Sequence, residues 1–189
     1  MIRLATQDDA PALQGSLAQA FHDDPVASWS LPSERRRPAQ LGRFYRERLR
    51  TLVPDEMVFC DDERRGAALW TAPDRWQIGF AELARMRIAT RRTPLFLVGA
   101  HHVDSAHPGE PHYYLNVLGV SPEAQGTGLG TRLIAPMLER CDREGVPAYL
   151  ESSKERNLVF YERHGFRVTG EVMMPRGGPK LWLMWRAPH

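Results

Sequence analysis

A chain of 189 residues with 42% hydrophobic content is long enough for one well-buried domain and short for two. Its 25 basic and 23 acidic side chains nearly cancel, leaving a net charge of +2, so no polyanion is demanded as a partner and nucleic acid is not an expected ligand. Two cysteines, Cys60 and Cys141, are too few and too separated for a disulfide scaffold or a thiolate metal site; with no signal core and no run of eighteen apolar residues, the expectation is a cytosolic chain with no membrane segment.

Residues 2–5 read as a short first strand. Thr6 can then cap a helix with Asp9 as its capping-box partner, and Leu13, Leu17, Ala20 and Phe21 share one helical face. A second helix is predicted over 33–52, with Leu41, Phe44, Tyr45, Leu49 and Leu52 inward. Its arginines (35, 36, 37, 43, 46, 48 and 50) are expected on the solvated face, because Glu34 and Glu47 interrupt the charge and no aromatic stacking platform accompanies it. Residues 56–60 and 66–71 form a hairpin around a polar turn, ended by Pro73. From 76 to 107 the pattern is mostly helical, over 81–88 and 95–102, with a break at 91–94. His101, His102, His107 and His112 invite a metal reading, but no carboxylate or cysteine stands at ligand spacing with them; solvent-facing or loop histidines are expected.

Residues 113–120 are aromatic and β-branched enough for a buried strand. Ser121-Pro122-Glu123 turns the chain, and Gln125-Gly126-Thr127-Gly128-Leu129-Gly130 opens a helix-periodic run. Alternate glycines let the backbone approach a ligand and turn several N–H groups toward one point, and a helix start adds about half a positive charge. Such a site suits phosphate or pyrophosphate. No Lys follows the glycines as a P-loop needs, and GxGxG stands where the dinucleotide fingerprint has GxGxxG, so a nucleotide triphosphatase and a Rossmann dehydrogenase are disfavoured. Residues 131–144 read as an amphipathic helix with Pro136 inside it and Gly145 as its C-cap. A strand over 147–152, a helix over 157–164 and an antiparallel pair, 166–174 with 180–186, complete one α/β sheet layered with helices.

The glycine loop, together with Asn157-x-x-x-Tyr161-x-x-x-Gly165-Phe166, resembles the signature of the GCN5-related N-acetyltransferases. That resemblance implies one GNAT domain over 1–189: a mixed, mostly antiparallel sheet with a splayed strand pair and helices on both faces. It implies acetyl-CoA as co-substrate, a primary amine as acceptor, direct transfer and no metal. Leu118, Gly119, Val120, Gln125, Gly126, Thr127, Gly128, Leu129, Gly130, Thr131 and Asn157 would hold the cofactor. Tyr161 would be the general acid. Glu151 would be the base or only position substrate, since Asn116 stands in the strand where many members carry a glutamate. Phe21, Asp23, Asp24 and Trp29 would wall the acceptor site, bordered by His112, Tyr113, Tyr114 and Asn116. Within the family, Leu118-Gly119-Val120-Ser121-Pro122 and residues 156–163 are similar to the puromycin-acetylating branch, which points to a small amine-bearing acceptor, an antibiotic among them. A peptide acceptor, an acyl-CoA sensor without turnover, and a monomer or a homodimer all stay open.

Overall fold

The computed structural model describes residues 1–88 and 90–189, so Ala89, inside the predicted helical stretch, lies outside the described residues. Among the described residues seven strands are joined by hydrogen bonding into one sheet. They are β1 (Ile2–Leu4), β2 (Val58–Asp61), β3 (Gly66–Thr71), β4 (Tyr113–Val120), β5 (Ala148–Ser152), β6 (Arg167–Met173) and β7 (Lys180–Arg186), in the order β1-β2-β3-β4-β5-β7-β6. Every neighbouring pair is antiparallel except β4 and β5. Helices cover both faces, as the resemblance implied.

Burial follows the apolar spacing. On one face α1 (Ala10–Ala20) and α3 (Arg37–Leu52) press Leu13, Leu17, Leu41 and Leu49 onto Val58, Cys60, Leu69 and Val117. On the other, α6 (Leu129–Glu144) presses Leu133, Ile134 and Met137 onto Ala68, Trp70, Leu115 and Leu150, joined by Tyr161 of α7 (Leu158–Arg163) and by Phe166. Each such side chain stabilises the fold by about 1.5–3 kcal/mol, so the middle of the sheet is clamped from both sides. Cys60 and Cys141 are free thiols within these two cores, and burial pushes them up to about 11 and about 12.

Two irregularities in β4 open the middle of the sheet. Its register against β3 slips, pairing Leu69 with Val117 but Trp70 with Leu115, so Asn116 is an extra residue. Tyr113 and Leu115 therefore pack toward α6, while Val117 packs toward α1 and α3. Against β5, only Tyr113 with Ala148 and Tyr114 with Tyr149 are paired; beyond them the two strands part.

Some boundaries and exposures differ from expectation. A short helix, α2 (Pro25–Ser30), starts where the Asp24 carboxylate accepts the N–H groups of Val26 and Ala27 at 2.9 and 3.0 Å. Helix α3 begins at Arg37 rather than 33, with a proline in its first turn where the missing N–H costs nothing. The predicted helical stretch over 76–107, an insertion between β3 and β4, folds as α4 (Phe80–Met86) and α5 (Thr93–Ala106). Arg37 and Arg48 correct the expectation of a wholly solvated arginine face, since both are buried. Arg37 donates to the carbonyls of Leu31 and His22, each at 2.9 Å, and so ties the end of α2 to α3.

The predicted capping box is present and carries more than a cap. Asp9, 1% exposed, accepts from the backbone N–H of Thr6 at 2.9 Å, from Arg3 at 2.7 and 2.8 Å, and from Arg64 at 2.7 Å. The Arg3 guanidinium, more than any other group, holds this carboxyl far below the usual carboxylate range. Its stabilising contribution is complete above the unfolded value near 4 and is lost as pH falls toward the folded value. Asp9→Asn is expected to cost about 2–4 kcal/mol at pH 7 in urea unfolding, with the gap to the parent narrowing between about pH 5 and pH 2.

Candidate functional site

The parting of β4 and β5 opens a cavity of about 420 Å3. One end is walled by the glycine-rich loop. Gly126 and Gly128 hold φ of 76° and 75°, angles at which a side chain is strained, and Gly128 is the N-cap of α6. Behind it Leu129, Gly130 and Thr131 line the cavity, and their first-turn N–H groups have no partner within the helix. Gln125 donates to the carbonyl of Val120 at 3.1 Å and Thr127 to that of Ala124 at 2.7 Å, fastening the loop to the end of β4. The result is a donor-rich turn at a positive helix end, suited to an anion.

The middle is formed by Leu118, Gly119 and Val120 of β4, Ser152 at the end of β5, and Asn157 and Tyr161. A Cβ on Gly119 would stand 2.6 Å from Leu17 Cδ2 and 3.0 Å from Phe21 Cε2, so this position must stay glycine for α1 to lie so close to the strand. Tyr161 is buried. Burial, and secondly the charge of Asp24, push its phenol up, so it enters neutral solution as a proton donor.

At the other end stands Glu151. Its Oε2 accepts from the Tyr114 hydroxyl, while Oε1 is buried with no hydrogen-bond partner. His107 Nδ1 lies 3.4 Å from Oε1 but outside hydrogen-bonding geometry. Rings pack around the carboxylate. His107 stacks on Trp76 with centroids 3.8 Å apart, and Tyr114 and Tyr149 meet His107 edge-on. Burial first and the charge of Glu151 second push the phenols of Tyr114 and Tyr149 up.

Asn116, at the bulge, also lines the cavity. Its Oδ1 accepts from Arg48 Nε at 3.0 Å, which turns its NH2 group away from the guanidinium. Arg48 in turn donates to Glu82 Oε1 of α4 at 2.9 Å, and its Nη2 is buried without a partner. A charged residue from α3 and another from the insertion thus fix one amide on β4.

Most of the residues that the sequence singled out meet in this cavity: Phe21, Asp24, Asn116, Leu118, Gly119, Val120, Gln125, Gly126, Gly128, Leu129, Gly130, Thr131, Glu151, Asn157 and Tyr161 line it. Five do not. Thr127 turns back onto Ala124. Asp23 pairs with Lys154 at 2.7 Å, which lowers its carboxyl. Trp29 is buried against Met174 and Leu181. Tyr113 faces α6 and donates to Glu144 at 2.6 Å, a consequence of strand alternation. Tyr114 reaches the site only through Glu151.

His101 and His102 are exposed on α5, and His107 and His112 stand in the loop between α5 and β4, as expected; unexpected is that the side chains of these two are buried, and that a carboxylate absent from their local sequence arrives from β5. Arg48, Glu82 and His107 are the functional neighbours that sequence reasoning missed. Only the charge placed on an otherwise apolar helical face, for Arg48, gave a local signal. Among the described residues no group of three His, Cys, Asp or Glu side chains is placed to hold a metal ion. A separate recess between α3 and α4, lined by Arg43, Arg46, Glu47, Arg85 and Arg87, holds none of the residues singled out for the site.

A family model described as the acetyltransferase (GNAT) family matches residues 40–166. An N-acetyltransferase from Schizosaccharomyces pombe is 41% identical over 79 residues, which are 41% of this chain and 32% of that protein. The chain thus spans about a third of the length of that curated relative. A Corynebacterium glutamicum structure described as histone acetyltransferase HPA2 and related acetyltransferase is 26% identical, covers 100% of this chain and 96% of its own, and superposes with a TM-score of 0.74. The fold is shared with the PaiA N-acetyltransferase of Thermoplasma acidophilum in complex with coenzyme A, at a TM-score of 0.60 and 14% identity, over 99% of this chain and 98% of that one.

Arg48→Met would leave Glu82 buried and unpaired and free the Asn116 amide. Chemical denaturation should show a loss of about 3–5 kcal/mol, most of it recovered in Arg48→Met with Glu82→Gln. An equally unstable double variant would mean that packing of the arginine stem, and not charge pairing, holds the site.

Proposed function

Because the chain belongs to the acetyltransferase (GNAT) family, we propose that it moves an acetyl group from acetyl-CoA directly to the primary amine of a small molecule. One observation carries this reading: a single cavity has a positive, glycine-rich helix start at one end and a buried carboxylate with an unbonded oxygen at the other, with a protonated tyrosine in its wall.

The residues fit that co-substrate. Gly126 and Gly128 make a turn that a side chain would spoil, and the N–H groups of Leu129, Gly130 and Thr131 suit a pyrophosphate. The edge of β4 around Leu118 and Gly119, released from β5, can bond to an extended ligand bearing amides, as a missing strand would. Asn157 offers a further amide beside it. When bound, acetyl-CoA supplies an activated acyl carbon and a thiolate leaving group.

The chain's own groups then move protons. Glu151 takes one from the acceptor ammonium, making the amine a nucleophile; a carboxylate shielded from water gains more from meeting a cation than one in bulk solvent. Tyr161 gives one to the departing sulfur. Its burial raises the cost of an anion on the phenol, and the same dry surroundings raise the proton affinity of a thiolate there, so the two stay matched. The NH2 group of Asn116, held by Arg48, is available to the acceptor.

A small acceptor is favoured because the Glu151 end of the cavity is crowded by rings: His107, Tyr114 and Tyr149 pack around the carboxylate. An antibiotic amine belongs to this class, and the cytosol, where acetyl-CoA is made available, is the compartment that goes with it.

Thiol release from acetyl-CoA over a panel of amines that includes puromycin and aminoglycosides tests the reading. We expect turnover on at least one amine, with kcat reduced about 10²–10⁴-fold in Tyr161→Phe and the KM for acetyl-CoA little changed. Tight CoA binding with no turnover on any amine would overturn it, and faster turnover on a peptide array would move the acceptor to a polypeptide.

A further inference from the structure

We propose that His107 is a positioning residue that receives the acceptor's proton from Glu151, through a proton position left open between Glu151 Oε1 and His107 Nδ1. This rests on the reading of Glu151 as the group that meets the amine.

The hydrogens along the chain follow from what each neighbour can accept. His112 Nδ1 lies 2.6 Å from the carbonyl oxygen of Glu110, which only accepts, so this nitrogen carries a hydrogen. Burial lowers the proton affinity of His112, which leaves the ring neutral and its Nε2 a lone pair. His107 Nε2 lies 3.0 Å from that lone pair, so His107 donates there. A neutral His107 is then bare at Nδ1, and Nδ1 faces Glu151 Oε1 at 3.4 Å. Two acceptors confront each other, which accounts for the buried oxygen without a partner. One added proton on Nδ1 turns that confrontation into an ion pair at 3.4 Å, which a small ring rotation would convert to a hydrogen bond.

Acetyl transfer supplies that proton. An ammonium acceptor loses two protons as its N–C bond forms and the C–S bond breaks. The sulfur takes one from Tyr161, and the amine's second proton restores the phenol. One remains, and it is held between Glu151 and His107. A proton on Nδ1 makes His107 an imidazolium beside a carboxylate and stacked on the Trp76 face, an arrangement that favours a cation. Tyr114 and Tyr149 meet the ring edge-on from β4 and β5, and His112 precedes β4. Asp104 of α5, its carboxyl raised by burial and then by the charge of Glu151, acts on His107 from its own element together with His101, and Asp74 acts on His112 from the β3–α4 connection.

Imidazole nitrogen NMR on the intact protein reads the hydrogens without turnover. The expected pattern at high pH is Nδ1–H for His112 and Nε2–H for His107, with Nδ1 of His107 protonating as pH falls and that titration moving to lower pH in Glu151→Gln. Alongside, His107→Gln keeps a donor toward His112 but has no protonatable group; kcat/KM should fall at least about tenfold, and its acidic limb should move down by about one pH unit, with CoA affinity unchanged. A neutral His107 found as Nδ1–H, a titration indifferent to Glu151→Gln, or an unmoved acidic limb would overturn the proposal. The expected tautomers in a protein that acetylates no amine would sink the acetyltransferase reading and leave the proton position standing.

Discussion

Two strands that pair for two residues and then separate set the terms for everything else in this molecule. Hydrogen bonding between β4 and β5 ends after Tyr114 and Tyr149, although both strands continue. A buried backbone group without a partner costs about 1–3 kcal/mol, so the opening survives only because its flanks are rigid. The α1–α3 layer holds β4 from one side and α6 holds both strands from the other. The extra residue at Asn116 turns β4 where the gap begins, and the glycine loop closes the gap where β4 ends. A ligand that offers amides to this edge and an anion to the loop restores what the sheet gives up.

Buried charge is handled in two contrasting ways. Asp9 lies far from the cavity and is fully satisfied by two arginines and a backbone N–H. Near the cavity, satisfaction is incomplete. Arg48 Nη2, Tyr149 Oη and Glu151 Oε1 are all buried and lack partners. Unsatisfied groups of this kind destabilise a fold, and Arg48 and Glu151 bracket the end of the cavity that Asn116 lines.

The loop end of the cavity was legible in the sequence and the Glu151 end was not, for a physical reason. The residues of the glycine loop, Asn157 and Tyr161 come together through local geometry, a strand running into a turn and a helix, and local geometry is written in consecutive residues. The two cores were legible because helical and strand periodicities announce them. The Glu151 end is built across long separations: Arg48 meets Asn116 and Glu82, and His107 meets Glu151. No spacing rule links such positions. Arg48 looked like its exposed neighbours because arginine is usually solvated, and His107, a loop residue as expected, gave no sign of its burial because its partner sits on another strand. Tyr113 and Tyr114 show the limit within a single strand, since alternation sends one to α6 and the other to Glu151.

The helical insertion has a further consequence for how this chain can change. It brings Glu82, which neutralises Arg48, and leads to His107, which faces Glu151. The connection from β3 to β4 and the electrostatic frame around β4 and β5 are therefore one piece of polypeptide. That connection is not a detachable module: a replacement stretch without an acid at position 82 would leave Arg48 buried without its counter-charge, so change in this part of the chain is confined to the side chains between those two anchors.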